Sequence, residues 1–140
     1  MAESKILIDT GAIYAFVTRS DRNHSAARSF VEGWLDRRGV FVLVDAVFAE
    51  TMTLLKVRLG GETAIRVGRE LRANPAYAWT ALGPGGERDA WEIFRNYHDK
   101  DWSFTDCSLL AVSRRSGVRG VFAFDRHFSQ MNGVERQPSG

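Results

Sequence analysis

The sequence predicts an α/β domain built on a largely parallel central sheet. Two observations lead there. Short apolar, β-branched runs, clearest in Ile6-Leu7-Ile8 and Val40-Phe41-Val42-Leu43-Val44, alternate with stretches of helical period. The chain also has the length and composition for one buried core: 140 residues, 44% hydrophobic and 26% charged. A single domain spanning 1–140 is expected, with no internal repeat, linker or low-complexity tract.

Each element has its own signal. Lys5-Ile6-Leu7-Ile8 is the first buried strand, followed by a helix over 12–18 with Ile13, Phe16 and Val17 on one face. Asn23 is placed to cap a helix that runs to 38 and stops at Gly39. The second strand is Val40-Phe41-Val42-Leu43-Val44. Helices over 47–59 and 62–73 follow, punctuated by Gly60-Gly61 and Asn74-Pro75. A short strand is expected over 78–82, and Gly83-Pro84-Gly85-Gly86 reads as a loop. The helix over 87–98 should turn Trp91 and Phe94 inward. Ser103-Phe104-Thr105-Asp106 has the form of a capping box and starts a helix that ends at Ser116-Gly117. Val121-Phe122-Ala123-Phe124 is a further buried strand. A short turn or helix over 126–131 and an edge segment near Val134 complete the chain.

Several function classes drop out early. No apolar run reaches the roughly 20 residues that span a bilayer, and the N-terminus leads straight into a strand without the pattern of a signal peptide. A cytoplasmic location is expected. Cys107, the one cysteine, has no intramolecular partner, and no Cys/His cluster exists. No Ser/His/Asp triad, phosphate loop or dinucleotide-binding glycine motif is present; the glycine-rich 83–86 segment lacks the Gly-Lys-Ser/Thr ending.

Acidic residues carry the remaining signal. Open α/β sheets bind ligands at the carboxyl ends of their strands. Asp9 directly follows the first strand and Asp125 the run Val121 to Phe124, while Asp106 lies in a first helical turn and Glu50 one turn into the helix after the second strand. In a parallel sheet these four could share one rim. Two unit charges about 4 Å apart cost about 4 kcal/mol at an effective dielectric near 20, so such a cluster calls for a cation. Mg²⁺ or Mn²⁺ suits oxygen ligands, and Mg²⁺ keeps waters that a phosphate can replace. Set those four aside and 13 acids face 19 basic residues, an arrangement that fits a phosphate polymer. The formal net charge of +2 is equally an ordinary solubility charge.

Simpler roles stand beside these. Asp9 could only cap a helix, Asp106 only complete the capping box, Glu50 only face solvent, and Asp125 only start a turn. Asp101 is a weaker candidate beside Asp99 and Lys100. Arg126 and His127 could meet phosphate or pack in a turn. His24 and His98 read as structural or solvated, and Cys107 as a small buried helix residue. The four tryptophans read as core, with Trp102 adjoining the proposed site.

Taken in order, Ile6-Leu7-Ile8-Asp9-Thr10, Val47-Phe48-Ala49-Glu50, Ser103-Phe104-Thr105-Asp106 and Phe124-Asp125-Arg126-His127-Phe128 resemble the acidic motifs of PIN domains, in particular the VapC-like toxins of toxin–antitoxin pairs. The resemblance covers essentially the whole chain. It implies a three-layer α/β/α fold and a Mg²⁺/Mn²⁺-dependent endoribonuclease acting on RNA. It further implies Asp9, Glu50, Asp106 and Asp125 as metal-site acids, with Thr10 and Ser103 or Thr105 as polar supports. A homodimer and a small antitoxin partner are also implied, the dimer drawing on apolar residues of the helices around 47–59 and 65–71. Two other classes stay open. A catalytically silent PIN-like domain binding RNA or protein would lack metal-dependent cleavage. A receiver-like phospho-acceptor would need an acid pair near its first strand and a late-strand lysine, and neither is evident.

Overall fold

In a computed structural model that describes residues 4–139, five parallel strands form one sheet in the order β3-β2-β1-β4-β5. The opening residues Met1-Ala2-Glu3, expected to lead directly into the first strand, lie outside the described residues. The strands are β1 (Lys5–Ile8), β2 (Val40–Val44), β3 (Tyr77–Thr80), β4 (Gly120–Phe122) and β5 (Glu135–Gln137). The helices are α1 (Thr10–Val17), α2 (His24–Asp36), α3 (Asp45–Leu59), α4 (Gly61–Ala73), α5 (Gly83–Asn96) and α6 (Phe104–Ser116), with a 3₁₀ turn over Arg126–Gln130. Helices cover both faces of the sheet, giving the three-layer α/β/α arrangement.

Strand pairing explains why the interior strands read as continuous apolar runs. β1 is paired on both sides, with Leu7 opposite Val42 of β2 and Val121 of β4, and Ile6, Leu7 and Ile8 are all buried. On one face Phe41 and Phe122 meet at 5.9 Å between ring centres and receive Phe30 and Trp34 from α2. Phe41 also stacks on Tyr77, its register partner on β3. α6 is the most deeply set helix: every residue from Asp106 to Ser113 is buried. Among the described residues no helix is long and apolar enough to cross a membrane.

Three expectations change. Gly83-Pro84-Gly85-Gly86 is the first turn of α5 rather than a loop. Proline suits a first helical turn, where its missing N–H would be unpaired anyway, and a Cβ at Gly86 would lie 2.8 Å from the end of the Leu82 side chain, which would have to shift. Trp91 and Phe94 face outward, not inward, since α5 buries Gly86, Ala90 and Ile93 instead. Small residues let α5 approach closely but give little hydrophobic signal, so the aromatic neighbours mislead. Trp79 is likewise 47% exposed, whereas Trp102 is buried.

Candidate active site

Parallel strands deliver Asp9 and Asp125 to the same end of the sheet. Asp9 ends β1, and its N–H donates to the Phe122 carbonyl of β4 at 3.0 Å, so the first acid is tied to the strand that leads to the last. Asp9 is 6% exposed. Burial is the main reason its carboxyl is pushed up to about 8; repulsion from Asp106, Glu50 and Asp125 adds to this, and the Thr10 N–H opposes it. The other three acids therefore all act on Asp9.

Asp106 is held from two directions. Its N–H donates to Ser103 Oγ at 3.0 Å, and its Oδ2 accepts the Ser103 N–H at 2.9 Å, forming a complete capping box. The same Oδ2 lies 3.0 Å from His127 Nδ1. Burial raises its pKa, and Asp125 adds to the rise; the Ser103 N–H and His127 work against it. The capping role and the site role thus fall on one carboxylate.

Asp125 caps the 3₁₀ turn through the His127 N–H at 2.9 Å and approaches His127 Nδ1 at 3.2 Å. His127 therefore bridges Asp106 and Asp125. Facing two carboxylate oxygens, Nδ1 is the nitrogen that carries the proton. The sequence had offered His127 only as a phosphate contact or a packed turn residue; its bridging position depends on the 3₁₀ turn that folds Asp125-Arg126-His127 back over α6. Glu50, on α3, and Asp125 are the exposed members of the group, whereas Asp9 and Asp106 are buried.

Among the described residues, no three Asp, Glu, His or Cys side chains stand close enough to form a ready-made metal cage. The donor set nonetheless fits a hard divalent ion. It offers oxygen atoms, and Mg²⁺ commonly uses one or two carboxylates, completing its shell with water and substrate phosphate.

Other residues are resolved by their contacts. Thr10 is buried with no partner for its hydroxyl, and Ser103 supports Asp106 directly. Asp101 is exposed, and Asp99 lies 3.9 Å from Lys100. Asp45 accepts the N–H groups of Ala46 and Leu82, fixing the start of α3 to the start of α5. Trp102 donates to Gln130 from the core, and His24 Nδ1 contacts the Ala15 carbonyl. Burial and the neighbouring Asp106 push the Cys107 thiol up to about 11, which disfavours the thiolate a nucleophile needs.

The chain is similar to known proteins along nearly all its length. The family model described as PIN domain matches residues 6–134. The 23S rRNA-specific endonuclease VapC20 of Mycobacterium tuberculosis is 29% identical over 133 residues, covering 95% of this chain and 98% of its own. Ribonuclease VapC26 of the same organism is 26% identical over 130 residues, covering 92% and 93%. The crystal structure of M. tuberculosis VapC20, described as a sarcin-ricin loop cleaving toxin, superposes with a TM-score of 0.83 at 28% identity, covering 93% of this chain and 97% of that one. A toxin–antitoxin complex from Klebsiella pneumoniae shares the fold at a TM-score of 0.64 and 14% identity, covering 93% and 95%.

Proposed function

The chain belongs to the PIN-domain family, and we propose that it is a VapC-type endoribonuclease that hydrolyses RNA phosphodiester bonds with Mg²⁺ or Mn²⁺. The observation that carries this reading is Asp9: a buried carboxyl, pressed by three other acids, that takes up a proton near neutral pH unless a cation arrives. The ribonuclease names of VapC20 and VapC26 support it. Asp9, Glu50, Asp106 and Asp125 are the residues assigned to hold the metal.

A bound divalent ion supplies Lewis acidity toward the phosphate and lowers the pKa of water. The chain's own residues supply position and proton control. Ser103 fixes Asp106 twice, its N–H donating to the carboxylate and its hydroxyl oxygen accepting the Asp106 backbone N–H. His127 spaces Asp106 from Asp125 and keeps a proton on Nδ1 between them. Glu50, exposed on α3, would take the proton that water releases as its oxygen bonds to phosphorus, and the leaving oxygen would take up a proton from solvent as its ester bond breaks.

A small antitoxin protein is the proposed partner, in line with the toxin–antitoxin complex that shares the fold. A homodimer is proposed on the exposed apolar residues Val57, Leu59 and Ile65 of α3 and α4, with a second exposed apolar face at Trp91, Phe94 and Phe104.

The direct test is incubation of purified protein with total RNA and with 23S ribosomal RNA, in Mg²⁺, Mn²⁺ or EDTA, followed by mapping of the new ends. Discrete metal-dependent cuts that Asp106→Asn removes are expected. RNA left intact in every metal would mean a non-catalytic PIN domain.

A further inference from the structure

Beside Asp125 the surface opens into a cleft lined by Tyr14 of α1, Arg22 and Asn23 of the α1–α2 turn, Arg58 of α3, and Arg126. Helical spacing brings Arg58 there. Glu50, Leu54 and Arg58 follow one another at intervals of four along α3, so they form one stripe, with Arg58 about 12 Å along the axis from Glu50. The cleft therefore begins at the acids and leads away from them.

Its three arginines outnumber the two carboxylates, Asp21 and Asp125, that also line it. Arg28, Arg95, Arg115 and Arg119 elsewhere are each within ion-pair distance of a carboxylate. Among the described residues Arg22, Arg58 and Arg126 have no such pairing. Asp21 also lines the cleft, but its Oδ1 accepts the Asn23 N–H and serves the turn. The Arg58 guanidinium lies over the Tyr14 ring, 5.2 Å from its centre. Stacking of that kind orients the planar donor fork while leaving its N–H groups free for an anion.

We propose that this cleft binds the RNA backbone on one side of the scissile phosphate. In it Arg22, Arg58 and Arg126 take phosphate oxygens and Tyr14 acts as the positioning residue for Arg58. The assignment rests on the ribonuclease reading. It gives the substrate a direction: the strand leaves the acids along α3 toward the α1–α2 turn.

The test is fluorescence anisotropy of a labelled single-stranded RNA oligonucleotide with the full chain in EDTA, from 50 to 200 mM salt, alongside kcat and KM for cleavage in Mg²⁺. Arg22→Ala/Arg58→Ala should weaken binding by about tenfold or more and raise KM more than it lowers kcat. Each lost phosphate contact should reduce the slope of log affinity against log salt by about 0.7. Arg22→Lys/Arg58→Lys should restore the slope, while Tyr14→Ala should weaken binding without changing it. Arg28→Ala/Arg95→Ala, which removes the same charge from paired surface sites, is the control. If the cleft variant matches that control, the cleft is overturned while a wild type that still cleaves keeps the ribonuclease reading. A wild type that neither binds nor cleaves RNA overturns both.

Discussion

Asp9 shows how one side chain can couple chemistry to stability. Its folded carboxyl protonates near 8, against an ordinary value of 3.8. A raised folded value means that the stabilising contribution is complete below about 3.8 and is lost as pH rises toward 8. Across that window each pH unit is worth about 1.4 kcal/mol. Metal-free protein should therefore melt at a higher temperature at pH 5.5 than at pH 8. Asp9→Asn should flatten that dependence and raise the Tm in EDTA at pH 8, while abolishing cleavage. Melting curves from pH 5.5 to 8 check this, and equal slopes for the two proteins would refute it. Asp106→Asn is expected to lower cleavage at least about a hundredfold, since removal of residues that merely orient a metal ligand already costs 10–100-fold. Its fold should survive, because an asparagine can still accept the Ser103 N–H; circular dichroism and kcat together decide the point.

Secondary-structure elements are held apart or together by single glycines here, and one was expected for a different reason. Gly39 reads in the sequence as a helix stop. The positive φ at the end of α2 belongs instead to Arg38, at 58°. Gly39 is required because a Cβ would stand 2.3 Å from the Trp34 ring, which packs between Phe30 and Phe41. Gly39→Ala should cost about 1–3 kcal/mol by overpacking and lower the Tm by several degrees. Arg38→Gly should leave the Tm unchanged or slightly higher, because it relieves a left-handed backbone. Thermal melts of the two variants distinguish a steric glycine from a conformational one; equal losses would contradict the assignment.

For the molecule as a whole, the proposed metal site would link folding to metal binding in one equilibrium. Mg²⁺ at a hundredfold excess over its Kd should stabilise wild type by about 2.7 kcal/mol, and Asp9→Asn by less. Differential scanning calorimetry with and without Mg²⁺ reads both values, and identical shifts would remove Asp9 from the metal site. Association is the other whole-molecule property. Light scattering at tens of micromolar should give twice the chain mass, and a monomer mass would end the dimer proposal.

Asp9 at the end of its strand and the capping box were legible from residues alone, whereas β4 stops at Phe122 and leaves Asp125 three residues beyond it. A buried parallel strand must be apolar throughout, so the first charge after it marks its carboxyl end, as Asp9 does after Ile8. Ser103 and Asp106 cap locally, within one helical turn, and need no distant neighbour. Local chemistry also fixed the order of strands and helices along the chain. What needed tertiary structure depends on atoms far apart in sequence. His127 reaches Asp106 across 21 positions, and the Asp9 carboxyl is raised by burial that no flanking residue reveals. The inward face of α5 was hidden for the same reason. Gly86 and Ala90 are small enough to permit close packing, and Ile93 is buried on the same side, whereas hydrophobicity alone favours the larger Trp91 and Phe94. The sequence by itself determined that Asp9 ends the first strand. Only the folded chain decided that Asp9 is desolvated and that an imidazole bridges Asp106 and Asp125, because desolvation and through-space charge act over distances set by packing.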